Sequence, residues 1–251
     1  MIDNKKAIVC DLDGTLAKSK SSLTPEMSEV ICKLLPNYNF VVVSGGAYSQ
    51  FQKQFLSNFN CPKELLKNLY LFPTMGSTCF VYDLETDSWK QLYDEQFTEL
   101  EKREIIEALN SAILECGIDV SDPFGEIIED RGSQITFSGR GQNAPIEVKV
   151  VWDHDQIKRR AMVESLMKKI PQYEISIGGT TSVDITRKGV DKAYAIGKIK
   201  ELLKIGVEDI IFIGDALFKG GNDSPVKRTG VDYVQADGPD ETLELLHKYL
   251  Q

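Results

Sequence analysis

Histidine is scarce in this 251-residue chain, with only His154 and His247, and the five cysteines (Cys10, Cys32, Cys61, Cys79, Cys116) include no Cys-x-x-Cys pair. These shortages exclude a Cys/His zinc site and a dithiol redox motif, and the scattered, odd-numbered thiols are expected to be reduced. Positive charge is also in deficit. Lys plus Arg number 29 against 38 Asp plus Glu, and the net charge of −9 gives nucleic acid or an anionic membrane no electrostatic hold. A small anionic substrate would need a local positive pocket. No apolar run approaches the roughly 18 residues of a membrane span, and the first residues lack a signal peptide's apolar core. A soluble cytoplasmic protein, monomeric or homodimeric, is expected. Repeats and low-complexity tracts are missing too. What remains is ordinary globular composition, 42% hydrophobic and 27% charged, in a chain long enough for one large domain or two modest ones.

The first informative stretch is Asp11-Leu12-Asp13-Gly14-Thr15-Leu16. It follows Ala7-Ile8-Val9-Cys10, a short apolar run that reads as a buried strand, so two carboxylates arrive at a strand's carboxyl end, where open α/β sheets bind ligands. Thr24-Pro25-Glu26 then starts an amphipathic helix carrying Met27, Val30, Ile31, Leu34 and Leu35, and Phe40 to Val43 forms a second strand ending in Ser44-Gly45-Gly46. Strand, helix, strand implies a parallel pair. A helix interrupted near Asn60-Cys61-Pro62 is expected over 48–69, then a strand at Leu69 to Phe72 and a hairpin over 78–93. From there the pattern changes: helices at Glu99 to Glu115 and Asp155 to Ile170 are interspersed with alternating segments at 133–137, 146–150, 173–177 and 182–185, read as antiparallel strands. This predicts an inserted α+β unit over residues 85–185, with 1–84 and 186–251 forming a Rossmann-like α/β core. The parallel pattern resumes with a helix near Asp191 to Leu203 and a strand, Ile210 to Ile213, that opens into Gly214-Asp215 and a glycine-rich loop ending Gly220-Gly221-Asn222-Asp223.

Strand ends therefore present Asp11 and Asp13, Ser44, and Asp215 with Asp223 on one sheet edge. Four carboxylates gathered there repel one another without a cation, and oxygen-only ligands favour Mg²⁺, which points to phosphoryl chemistry. This ordered set resembles the four signatures of the haloacid dehalogenase superfamily of phosphohydrolases and phosphomutases. The resemblance implies that Asp11 is a nucleophile forming an aspartyl-phosphate, that Asp13 is the general acid/base, and that Ser44 and Gly45 bind the phosphoryl group. It also implies Mg²⁺ held by Asp11, the Asp13 carbonyl, Asp215 and Asp223. An active-site lysine is expected in Lys188-Gly189-Val190-Asp191-Lys192, where Lys192 fits the pattern better than Lys188.

The insert is placed like a C2-type cap, the domain that reads the substrate in this superfamily. The long metal loop with its Gly-Gly-Asn-Asp ending resembles eukaryotic-type phosphomannomutases. In the cap, Arg131, Arg140, Ser182 and Asp184 fall near that subfamily's substrate-binding positions. One departure bears on the reaction. The subfamily supplies a further arginine shortly after the Gly-Arg step, whereas here Gly141 to Glu147 contains none. Without a second phosphate anchor the aspartyl-phosphate is expected to pass to water, which favours a phosphatase of small phosphosugars, with phosphomannomutase as the alternative. A non-catalytic sugar-phosphate binder is the third reading, disfavoured because it would not need both a nucleophile and an acid/base.

Overall fold

The computed structural model describes residues 5–19 and 21–250, which divide into two compact units, Met1–Asp94 with Asp191–Gln251, and Glu95–Val190. The first unit begins with β1 (Ala7–Asp11), α1 (Pro25–Leu34), β2 (Asn39–Val43), α2 (Tyr48–Gln54), β3 (Leu69–Phe72), β4 (Thr78–Asp83) and β5 (Ser88–Asp94). The second unit contains α3 (Glu99–Glu115), β6 (Ile128–Asp130), β7 (Gln134–Ser138), α4 (Ile146–Trp152), α5 (Ile157–Lys169), β8 (Tyr173–Gly178) and β9 (Ser182–Arg187). The chain then returns to the first unit through α6 (Lys192–Leu203), β10 (Ile210–Gly214), β11 (Asp232–Gln235) and α7 (Pro239–His247).

The first unit is built on a seven-stranded sheet in the order β11-β10-β1-β2-β3-β4-β5. The first five strands run parallel and the β4–β5 hairpin antiparallel. β1 is buried on both faces. Ile8 and Cys10 pack with α1, α2 and α7 residues, while Ala7 and Val9 join Ala195, Ile196 and Ile199 of α6 on the other face. That two-sided burial explains the unbroken apolar run, and with parallel pairing it sends the carboxyl ends of β1, β2 and β10 to the same edge. Thr24 caps α1 by accepting from Met27 N–H, with Pro25 at the first helical position.

The second unit is an α+β layer pair. Its four-stranded antiparallel sheet, β6-β7-β9-β8, lays Ile135, Phe137, Val183 and Ile185 against α3 and α5, forming a separate core. A Thr98/Glu101 capping box opens α3. Arg187, at the end of β9, donates to Glu101 and to the Gln96 carbonyl (2.9 Å) and lies over the Phe97 ring, so the unit's entry and exit are clasped together.

Several expectations need correction. The boundary expected at 84/85 falls inside the β4–β5 hairpin. β5 pairs with β4 along Thr78↔Asp94 to Asp83↔Ser88, so the unit divides at Asp94/Glu95, and at Val190/Asp191 rather than 185/186. Residues 146–150 are not a strand but most of α4. Pro145, at ψ 151°, ends the preceding loop, and the apparent alternation reflects a short helix with Ile146, Val150 and Val151 exposed and Lys149 buried. Residues 48–69 form α2 followed by two separate 3-10 turns. Two of the five cysteines are not free thiols: Cys32 of α1 and Cys61 form a disulfide, because the segment after α2 folds back along α1, with Asn58 and Asn60 bonded to Leu23 O and Ser28 Oγ. Cys10, Cys79 and Cys116 are free.

Candidate active site

The carboxyl edge of the parallel strands carries a packed ionic cluster. Asp11, the last residue of β1, is 2% exposed, and Lys192, the first of α6, is fully buried. The Lys192 ammonium bridges Asp11 Oδ1 and Asp223 Oδ1. Asp191 directs this lysine by capping α6 through the N–H groups of Ala193 and Tyr194. Lys188, by contrast, has a largely exposed side chain 3.9 Å from Glu174, so burial and geometry single out Lys192.

Asp215 and Asp223 come from the loop after β10. Asp223 is fully buried, its N–H bonded to Ala216 O and its Oδ2 accepting from Ala216 N–H at 2.9 Å, which closes the loop on itself. Gly221 is needed in this fold, since a Cβ there would lie 2.0 Å from Ala216 O. Gly14 meets two constraints at once: its φ is +91°, and a Cβ would lie 2.4 Å from Asp215 Oδ2. Thr15 Oγ1 lies 3.5 Å from both Asp11 Oδ2 and Asp215 Oδ1. Ser44 is buried at the end of β2, with its Oγ accepting from Gly46 N–H at 3.0 Å, and Gly45 lies within that turn.

One carboxylate oxygen from each of Asp11, Asp215 and Asp223 falls within 4.8 Å of the others. Burial pushes the Asp11 carboxyl well above the usual range, opposed by Lys192 and reinforced by Asp223 and Asp215. Burial, then Asp223, also raises Asp215. The Asp11 and Asp223 charges hold the Lys192 ammonium above the ordinary lysine range despite its desolvation. Three crowded carboxylates facing one ammonium leave negative charge for a cation to balance, and hard oxygen donors fit Mg²⁺. The Asp13 side chain lies outside this trio. Its Oδ2 accepts from Gln50 Nε2 at 2.5 Å and its Oδ1 from Gln54 Nε2 at 3.0 Å.

In the second unit, Arg131 and Arg140 flank β7 at opposite ends. Arg131 is largely buried, donating through Nε and Nη2 to Glu129 Oε2 at 2.8 and 2.6 Å. Arg140 is half-buried, and its carbonyl accepts from Phe124 N–H. Ser182 and Asp184 share one face of β9, opposite Ser138 and Thr136 in register. Asp184 accepts from Thr136 Oγ1 at 2.8 Å, and burial raises its carboxyl while the Arg131 charge lowers it. Gly178 makes room for this group: a Cβ there would sit 2.2 Å from Asp184 Oδ2.

A sequence model of the eukaryotic phosphomannomutase family matches residues 27–251. The chain belongs to that family. Its relatives include a phosphomannomutase from Schizosaccharomyces pombe, 30% identical over 97% of this chain and 94% of the relative, and one from Encephalitozoon cuniculi, 27% identical over 99% and 95%. Among solved structures, an IMP-nucleotidase from Plasmodium falciparum shares the fold with a TM-score of 0.72 at 19% identity, covering 99% of this chain and 68% of that one. A haloacid dehalogenase-like hydrolase from Bacteroides thetaiotaomicron also shares the fold, with a TM-score of 0.58 at 14% identity over 97% of this chain and 99% of that one. The family match starts after Asp11 to Leu16, so the acidic motif and the family match are separate observations.

Gln50 and Gln54 are the residues that sequence reasoning missed. On an amphipathic helix, polar positions read as solvent-facing. The available signal was their place: two glutamines four residues apart on the first helix after Ser44-Gly45-Gly46, at the same sheet edge as Asp13.

Proposed function

We propose that this protein is a Mg²⁺-dependent phosphomannomutase, interconverting hexose 1- and 6-phosphates of the mannose type through an aspartyl-phosphate on Asp11. The observation that carries the reading is the Asp11–Lys192–Asp223 bridge beside Asp215 in a chain whose near-full length matches phosphomannomutases. Hydrolysis, favoured by the missing arginine alone, becomes the second reading.

In this mechanism an Asp11 oxygen attacks phosphorus and the bond to the leaving sugar oxygen breaks, with Asp13 delivering the proton to that oxygen. Asp13 then takes the proton from the incoming sugar hydroxyl as the phosphoryl group moves from Asp11 to it. Lys192 holds Asp11 in place and offsets charge on the transferring group, and Ser44 with Gly45 supplies hydrogen bonds to its oxygens. Asp11, Asp215, Asp223 and the Asp13 carbonyl would hold Mg²⁺, which when bound neutralises phosphoryl charge. Arg131, Arg140, Ser182 and Asp184 carry sugar-phosphate recognition, guanidinium groups being suited to bidentate phosphate contacts. The reading carries a cytoplasmic location with it; among the described residues no helix is long and apolar enough to cross a membrane.

The hydrolytic reading keeps one structural argument. Gly141 to Pro145 lead into α4 without an arginine, and the buried cation there, Lys149, donates to the Gln142 carbonyl at 2.8 Å. Mannose 1-phosphate supplied with Mg²⁺ and a catalytic amount of a hexose bisphosphate, followed by phosphorus NMR, decides between them. Activator-dependent formation of mannose 6-phosphate without inorganic phosphate is expected, and stoichiometric phosphate release would replace the mutase with a phosphatase.

A further inference from the structure

The contacts of α2 with Asp13 add a component that the acidic motif does not contain. Gln50 and Gln54 are one helical turn apart, so their side chains leave the same face. Each donates an amide N–H to a different oxygen of Asp13, at 2.5 and 3.0 Å. A single donor would leave the carboxyl group free to turn about its Cβ–Cγ bond. Two donors, one per oxygen, fix its plane. Both glutamines are themselves held. Gln54 is 3% exposed, its Nε2 also donates to Ser21 O at 3.2 Å, and its backbone carbonyl accepts from Leu23 N–H at 2.7 Å. The Gln50 side chain lies across Gly46, where a Cβ would come within 2.4 Å of Gln50 Oε1. Gly46 in turn donates its N–H to Ser44 Oγ. Gln50 thus spans from the serine turn to the carboxylate.

We propose that Gln50 and Gln54 are positioning residues for Asp13: the amide pair orients its carboxyl group for proton delivery to the leaving oxygen, and Gln50 keeps that orientation in step with the Ser44-Gly45-Gly46 turn. The proposal rests on the reading of Asp13 as the acid/base. It makes the contribution of the glutamines depend on the leaving group. An alkoxide leaving from a sugar phosphate needs a well-placed proton, whereas a dinitrophenolate leaves without one.

The experiment compares, in Mg²⁺, steady-state interconversion of mannose 6-phosphate with a catalytic amount of a hexose bisphosphate and the pre-steady-state burst of dinitrophenolate from 2,4-dinitrophenyl phosphate, which reports phosphorylation of Asp11 alone, by the unaltered protein, Gln50→Leu, Gln54→Leu and Asp13→Asn. For Gln50→Leu the sugar-phosphate kcat is expected to fall about 10- to 100-fold with KM changed less than about 3-fold, and the dinitrophenolate burst rate to change by less than about 3-fold. Gln50 is half-buried, so this variant remains informative if the more buried Gln54→Leu does not fold. Equal losses on both esters, or none on the sugar phosphate, with a leaving-group-selective Asp13→Asn, overturn the positioning role alone. If Asp13→Asn itself slows both esters equally, the acid/base reading of Asp13 fails and this proposal fails with it.

Discussion

At the scale of single residues, the centre is organised by Lys192. An amine with no solvent exposure is stable only because Asp11 and Asp223 surround it, and removing one member of a buried charge group leaves the others uncompensated. Lys192→Met is therefore expected to destabilise the apo protein by roughly 3–5 kcal/mol in urea unfolding. Millimolar Mg²⁺ should return part of that loss, because a cation that binds the folded state stabilises it by mass action. An unchanged unfolding midpoint would show that the ammonium does not offset the carboxylates. The acidic members of this cluster were legible in the sequence because several apolar strands end in, or lead into loops carrying, aspartates, whereas one such stretch alone reads equally well as a turn. The lysine could be confined to two positions, and only the fold distinguishes a cap-framed Lys192 from a solvated Lys188. Gln50 and Gln54 carried no such mark, since an amide has no charge and its role depends on what it faces.

At the scale of elements, strands and capped helices followed from pattern, while pairings between distant segments did not. β1, β2 and β10 were readable as apolar runs ending in polar residues, and Thr24-Pro25 announces its helix, while the Thr98/Glu101 capping box emerges only in the structure. α4 was misread because Ile146, Val148 and Val150 alternate with Glu147 and Lys149, a pattern that a seven-residue helix beginning after Pro145 can also display. The hairpin β4–β5 was recognised, but nothing in its sequence says that it extends the parallel sheet instead of joining the inserted unit. The Cys32–Cys61 bridge, spanning 29 residues, lay beyond sequence spacing because it depends on the segment after α2 doubling back on α1. It joins α1 to the segment that follows the helix carrying both glutamines. Cys32→Ser with Cys61→Ser should lower stability by roughly 2–4 kcal/mol. The same loss on adding a thiol reductant to the unaltered protein would assign it to the bridge, and no loss in either experiment would mean the bridge does not form.

At the scale of the whole molecule, each unit has its own core and its own tryptophan, Trp89 in β5 and Trp152 in α4. This allows one unit to be followed alone. Glu101 at the start of α3 is lowered to about 2, mainly by its hydrogen bond from Arg187. A carboxyl depressed in the folded state contributes stability that is fully present above its unfolded value, near 4.3, and is lost as pH falls toward the folded value. With Trp89→Phe as background, the Trp152 unfolding midpoint should drop between about pH 5 and pH 2, and Glu101→Gln should flatten that slope. A slope unaffected by the substitution would assign the acid sensitivity to other carboxylates. The clasp that produces this shift also closes the unit's ends, since Arg187 holds Gln96 and Glu101 where the chain enters and leaves. In evolutionary terms a segment with joined ends is a cassette. It can be acquired, exchanged or remodelled through two covalent junctions while the first unit is inherited unchanged, so that, under the proposed function, a lineage can change what it recognises faster than it changes its chemistry.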